Sequence, residues 1–337
     1  MKKFSLLILA LALVAAGCEN KDAGGAPGKP AKSEPGAQAG GAGAGATGKT
    51  FVIGFSQCTF EDPWRVNMNA QMEAAAASHP EVKLIIANGE NQNSKQIADV
   101  ENFIVKGVDA IIISPREAAP LTEVVAKAYA RGIPVIVLDR RVLGDQFTTF
   151  IGASNLDIGR AAGQYLIDRI TAEGGWKQNR KLQLVEIEGI QGATATQERH
   201  QGFHEVVDKI PWIEVIYDQP GDYKRSPAKT IMDNALQAHP QIDAVYAHND
   251  EMAIGALLAA EAVGRDKGLV IIGIDGQGEA VRLIRDGRIA ATFVYQNGAK
   301  EAIETALAVV KGGQTPKEIK LTTTRITKDE NPEYKGF

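Results

Sequence analysis

The residues able to do chemistry cluster in short stretches that each follow an apolar run. They are Gln57 with Glu61-Asp62-Pro63-Trp64-Arg65, Asp139-Arg140, Arg199, Gly221-Asp222-Tyr223, Asn249-Asp250 and Asp275-Gly276. Carboxylates accept from pairs of adjacent hydroxyls, a guanidinium donates a planar fork, and an amide does both. Hydrogen bonds to charged groups contribute roughly 1.5–3 kcal/mol each. Aromatic faces such as Trp64 and Tyr223 can lie against the C–H face of a ring. This mixture suits a polyol better than a metal or a phosphate.

Plainer roles compete at each position. Asp139-Arg140 can be a local ion pair, Arg199 a solvated helix residue, and Asp275-Gly276 a simple turn. Trp64 can be core, and Asp250 is read as a helix cap. His200 and His204 stand at i, i+4, a spacing able to hold a metal. No cysteine, third histidine or nearby acid cluster completes that set, so no metal is expected. No Ser/His/Asp arrangement or G-x-S-x-G elbow is found. Asp139 and Asp275 are set aside as a glycosidase pair because each has a donor or a turn beside it. No catalytic residue and no cofactor are expected.

These stretches must be positioned by the elements around them. From Phe51 onward, short β-branched runs alternate with amphipathic stretches. Strands are expected over 51–56, 83–88, 110–114, 134–139, 149–152, 182–188, 213–217, 244–248, 270–274 and 290–295. Helices are expected over 64–78, 94–106, 120–131, 156–173, 196–209, 227–238, 250–263, 278–286 and 299–311. Such alternation with continuous apolar strands predicts α/β architecture with parallel sheets covered on both faces. The run divides near residue 153, where Asn155 suits the N-cap of a long helix. We expect two doubly wound lobes joined by a hinge: 51–152 plus about 297–317, and 153–296 plus about 318–330, the latter including a strand over 318–326. The polar stretches all lie at strand carboxyl ends, where ligands bind in such sheets.

The N-terminus has a different character. Lys2-Lys3, the apolar run Phe4–Ala16 and Ala15-Ala16-Gly17-Cys18 describe a secretory signal peptide over 1–17. The run is shorter than the roughly 20 residues of a membrane span. Residues 18–49 are rich in Gly, Ala, Pro and Lys and predict a disordered linker. Gly43–Thr50 satisfies the phosphate-loop pattern, but a low-complexity tract precedes it and a strand-like run follows, so nucleotide binding is not expected. Cys58 is read as a small buried residue, and Trp176 and Trp212 as packing residues. A net charge of -4 argues against nucleic acid as a partner.

Several motifs together carry a family resemblance. They are Gly54-Phe55-Ser56-Gln57, Trp64-Arg65, Gly107-Val108-Asp109-Ala110-Ile111, Leu138-Asp139-Arg140, Gly221-Asp222-Tyr223 with Arg225-Ser226, Tyr246-Ala247-His248-Asn249-Asp250 and Ile274-Asp275-Gly276. Over 51–325 the chain resembles the type I periplasmic sugar-binding proteins of the ribose and galactose group, most of all the galactofuranose-binding proteins of bacterial importers. Ala16-Gly17-Cys18 resembles the lipobox of bacterial lipoproteins, which implies lipidation at Cys18. The resemblance implies that Glu61, Trp64 and Arg65 lie against the sugar and that Asp139 and Arg140 bind its hydroxyls. Arg199, Asn249 and Asp275 would do likewise from the second lobe, with Tyr223 as a stacking aromatic. A last polar ligand falls near Tyr295 or Gln296, and Asp62-Pro63 departs from the small residues of that group. It further implies a monomeric, non-enzymatic carrier, anchored by lipid in the periplasm or at the cell surface, that hands a monosaccharide to an ABC permease. A sensory protein presenting the sugar to a receptor kinase or chemoreceptor is the alternative.

Overall fold

A computed structural model describes residues 49–172 and 174–337. The expected signal peptide, Cys18, nearly all of the expected linker and most of the phosphate-loop-like tract lie outside the described residues.

The first lobe is built on a sheet of β1 (Phe51–Gln57), β2 (Val82–Asn88), β3 (Ala110–Ser114), β4 (Val135–Leu138), β5 (Thr149–Ala153) and β11 (Glu318–Leu321). Their order is β11-β5-β4-β3-β1-β2, with all pairs parallel. The helices α1 (Pro63–Ala77), α2 (Asn93–Lys106), α3 (Ala118–Ala130) and α9 (Ala299–Val310) belong to it. β3 and β4 are buried along their whole length because helices cover both faces, which is why they read as unbroken apolar runs. Asp62 caps α1 by accepting from the Arg65 amide at 2.8 Å, and Pro63 supplies a fixed φ where no amide is needed.

The second lobe repeats the plan. Its strands are β6 (Leu182–Glu188), β7 (Ile213–Pro220), β8 (Ala244–Ala247), β9 (Val270–Ile272), β10 (Ala291–Phe293) and β12 (Arg325–Thr327), in the order β12-β10-β9-β8-β6-β7. Its helices are α4 (Asn155–Ala172), α5 (Thr194–Val207), α6 (Arg225–Ala238), α7 (Asp250–Ala262) and α8 (Gly278–Arg285). In each lobe the strand order reverses beside the first strand, at β1/β3 and at β6/β8, the crevice where doubly wound sheets hold ligands.

One expectation about the hinge needs correction. The strand expected over 318–326 in the second lobe is two strands: β11 joins β5 in the first sheet, and β12 pairs antiparallel with β10 in the second. Thr322-Thr323-Thr324 make the crossing, and a β-branched run reads as one strand whichever sheet it serves. The crossing is tied to the neighbouring one: the Val294 amide donates to Thr324 O at 2.8 Å, Thr323 Oγ1 donates to Val294 O at 2.8 Å, and Gln296 Nε2 to Thr322 Oγ1 at 3.1 Å.

α5 carries Arg199, and its position is set by close packing on α4. A Cβ at Gly202 would stand 2.1 Å from Leu156 O. Helix propensity alone favours alanine there by about 1 kcal/mol. We expect Gly202→Ala to lower stability by about 1–3 kcal/mol through overpacking, read as a reduced urea midpoint at unchanged slope; an unchanged or raised midpoint would contradict the close approach.

Candidate functional site

On the first lobe, the site begins with a buried guanidinium. Arg65, on the first turn of α1, donates through Nη2 to Asp139 Oδ2 at 2.6 Å and through Nη1 to Ser114 Oγ at 2.5 Å and Gln57 Oε1 at 3.1 Å. Gln57, Ser114 and Asp139 close β1, β3 and β4, so three strand ends hold one side chain. Burial would raise the Asp139 carboxyl, but the Arg65 and Arg140 guanidiniums and the Tyr295 hydroxyl hold it below its ordinary value. Asp139 adopts φ 68°, a left-handed conformation that turns the chain sharply at the end of β4.

Arg140 extends over the cavity, its guanidinium 5.0 Å from the Tyr223 ring centroid, and donates through Nη1 to Arg116 O at 3.1 Å. Its Nε is a buried donor with no acceptor at hydrogen-bond distance, Asp139 Oδ2 standing 3.7 Å away. A donor left so costs free energy unless something meets it.

The second lobe supplies the facing wall. Arg199 of α5 donates through Nε to Asn155 Oδ1 at 2.8 Å and through Nη1 to His248 O. Its guanidinium lies 4.6 Å from the Tyr295 ring centroid. Tyr223 adopts φ 60° and exchanges a hydrogen bond with Thr196 Oγ1 at 2.8 Å. Its ring rests on Gly189, where a Cβ would come within 2.0 Å of it. Asn249 accepts from the Met252 amide at 3.0 Å, capping α7, and donates to Tyr223 O at 3.3 Å. Asp275 adopts φ 134°, and its carboxyl is pushed well above the ordinary range by burial and the nearby Asp250 charge, against the pull of Arg199.

Trp64, Arg65, Asp139, Arg140, Arg199, Tyr223, Asn249 and Asp275 therefore line one cavity of about 320 Å³, with Asp62, Ala195 and Tyr295. Glu61 does not line it: its exposed carboxylate reaches Lys224 Nζ at 3.1 Å, beside a wider outer recess of about 650 Å³. Trp64 serves both readings, since it is buried and its indole donates to Tyr295 O at 2.8 Å.

Other expectations shift. Asn155 opens α4, but its side chain turns to the site: Nδ2 donates to Tyr295 Oη at 3.1 Å while Oδ1 holds Arg199. Ser154 accepts from the Asp157 amide instead. Of the two positions considered for the last polar ligand, Tyr295 lines the cavity and donates to Asp139 Oδ1 at 2.9 Å, whereas Gln296 is exposed. Asp250 is no cap; it accepts from the Gly276 and Gln277 amides at 2.9 and 2.8 Å and from Thr292 at 2.7 Å, fixing the turn that carries Asp275. His200 and His204 do have acids nearby: Glu186, Glu188 and Asp218 approach from β6 and β7. Sequence spacing on one helix gave no view of the strands beneath it.

Two α/β lobes of matching strand order, presenting strand carboxyl ends to a shared small polar cavity, define a hinged binding protein. The chain belongs to the periplasmic binding protein domain family, which matches residues 53–314. The ribose import binding protein of Bacillus subtilis (strain 168) is 36% identical over 273 residues, covering 80% of this chain and 85% of its own. The galactofuranose-binding protein of Escherichia coli (strain K12) is 31% identical, covering 82% and 87%. The solved fructose-binding periplasmic domain of a hybrid two-component system is 39% identical, with a TM-score of 0.77 over 83% of this chain and 91% of that one. The family and these relatives are binding proteins, not enzymes.

Asp139→Asn leaves the buried Arg65 without its ionic partner, so we expect a loss of about 3–5 kcal/mol in urea unfolding at pH 7. The folded carboxyl titrates below its ordinary 3.8, so its contribution is present above the unfolded value and is lost as pH falls through the folded one. The gap between wild type and variant should narrow on acidification; a constant gap would refute the ionic role.

Proposed function

We propose that the chain is the solute-binding component of an ABC-type sugar importer and encloses one monosaccharide, galactofuranose-like or related, between its lobes. The observation that carries this reading is the polar lining of the cavity, above all the buried Arg140 Nε with no acceptor at hydrogen-bond distance. A sugar hydroxyl supplies that acceptor, while its protons are taken up by Asp139, Asp275 and the Asn249 amide oxygen. Trp64 and Tyr223 add aromatic surface to the lining. The ligands named for the ribose, galactofuranose and fructose relatives support the same class of guest.

Closure is the second element of the proposal. Contacts across the cleft run from the Ala118 amide to Gly192 O at 3.1 Å, from the Arg141 amide to Thr194 Oγ1 at 2.9 Å, and between Glu61 and Lys224. They are few and mostly at the rim, so ligand contacts made from both lobes at once are what tip the hinge toward the closed state. The closed monomer then docks on a permease. Cys18 carries the lipid that holds it in the periplasm or at the cell surface, and 18–49 form the tether. A sensory role is the second reading, favoured by the 39% identity to a domain of a two-component system.

Isothermal titration calorimetry against pentoses and hexoses, including furanose-rich ones, should give saturable one-to-one heat with at least one sugar; none with any would sink the proposal. Arg140→Ala and Asn249→Ala should each weaken that sugar by at least ~1.5 kcal/mol, about tenfold. Glu61→Ala should cost less than ~1 kcal/mol, as an exposed pair does. Equal losses in all three would mean the cavity is not the site.

A further inference from the structure

Away from the sugar cavity, the second lobe gathers a set of side chains that neither binding nor closure uses. Glu186 and Glu188, two residues apart on β6, point to the same face of the sheet. Asp218 of β7 stands beside Glu186 in register. α5 lies over this face and brings His200 and His204, one turn apart, down onto the carboxylates. Glu186 Oε1 is 3.2 Å from His200 Nδ1, Glu186 Oε2 is 2.8 Å from His204 Nε2, and Glu188 Oε1 is 3.1 Å from His200 Nδ1. The ligand atoms of Glu186, His200 and His204 all lie within 4.8 Å of one another, as do those of Glu186, Glu188, His200 and Asp218.

We propose that this cluster is a binding site for a divalent transition metal of the zinc type, held by Glu186, His200 and His204, with the fourth position taken by water or by Glu188 swung from its place beside His200. Four ligands at zinc bond lengths of about 2.0–2.2 Å stand roughly 3.3 Å apart around a tetrahedron. The Glu186 contacts to His200 and His204, at 3.2 and 2.8 Å, are close to that spacing, and the ligand atoms of these three residues lie within 4.8 Å of one another, so they can converge on one ion by side-chain rotation. Two imidazoles with carboxylates favour zinc and its neighbours over magnesium or calcium, which take oxygen ligands alone.

The outer partners fit the same role. Asp208 Oδ1 lies 2.9 Å from His204 Nδ1, a carboxylate behind the imidazole that fixes its tautomer and leaves Nε2 to face Glu186. His248 is fully buried. Its Nδ1 accepts from the Gly189 amide at 3.3 Å, so its Nε2 carries the proton and donates to Glu186 Oε1 at 2.9 Å, holding that carboxylate in place. Three carboxylates on adjacent strands repel one another, and a dication relieves this more completely than histidine protons do. β7 is the edge strand and His200 is 39% exposed, so an ion has a path from solvent.

The site also borders the sugar cavity through the backbone. His200 follows Arg199 in α5, and His248 O accepts from Arg199. A metal would thus stiffen the element that carries Arg199 without touching the ligand.

The full chain, stripped with a chelator and titrated with zinc chloride, should bind one ion and gain about 3 °C or more in Tm. Magnesium at the same concentration should give no gain. His200→Ala, which alters a half-exposed residue, and the double variant with His204→Ala should lose the shift while keeping a wild-type circular dichroism spectrum. His79→Ala with His239→Ala should keep it. Cobalt(II) should show the visible bands of four-coordinate geometry, abolished by the same two substitutions at 200 and 204. Zinc stabilisation that survives those substitutions, an equal shift with magnesium, or no shift at all would each overturn the assignment. None of these readouts uses sugar, so they stand or fall separately from the transport proposal.

Discussion

The architecture depends on one constraint: charges buried at the strand ends must be answered by other charges or by a guest. Asp139 sits between the Arg65 and Arg140 guanidiniums and receives the Tyr295 hydroxyl. Removing either sign strands the other in a place water reaches poorly, at a cost of several kcal/mol. The pair draws together the ends of β1, β3 and β4 through Gln57, Ser114 and Asp139 itself, and it reaches the hinge through Tyr295. One ionic knot therefore fixes both the first wall of the cavity and the segment about which the lobes turn.

On the facing wall, the guanidinium of Arg199 is fixed by neutral acceptors, Asn155 Oδ1 and His248 O, with a tyrosine ring alongside. Its charge is thus less directly compensated than that of Arg65, with Tyr223, Tyr295 and Asp275 supporting the cation against the cost of burial. Left-handed backbone at Asp139 and Tyr223, and the positive φ of Asp275, cost of order 1–3 kcal/mol each and recur at the residues aimed into the cavity. Strain, an unanswered donor and partly compensated charge coincide there, as binding sites favour and cores do not.

Much of this is legible in the sequence, for physical reasons. Parallel strands buried on both faces read as unbroken apolar runs, and helices between them keep their own period, so element order and lobe architecture follow from the sequence. Strand carboxyl ends mark where a doubly wound sheet must place its ligand, which made Asp139, Asn249 and Asp275 visible as a set. Asn155's place in the site escaped, and the choice between Tyr295 and Gln296 stayed open, because both depend on contacts between residues 140 apart. Glu61 misled because exposure, not residue type, decides whether an acid in a loop faces the cavity or the rim. The strand over 318–326 misled because β propensity does not say which sheet a strand joins. The acids beneath His200 and His204 were hidden for the same reason as the role of Asn155: a helix and a strand meet there only in three dimensions.

The most direct measurement is a crystal structure of the protein purified gently enough to retain its own ligand, or grown with the sugar that calorimetry identifies. A monosaccharide between the lobes should have one hydroxyl oxygen within hydrogen-bonding distance of Arg140 Nε and others on Asp139, Asn249 and Asp275. A sugar seated elsewhere, or one in the cleft that leaves Arg140 Nε without an acceptor, would contradict the claim that the buried charges of the two lobes are completed by a hydroxyl-rich guest.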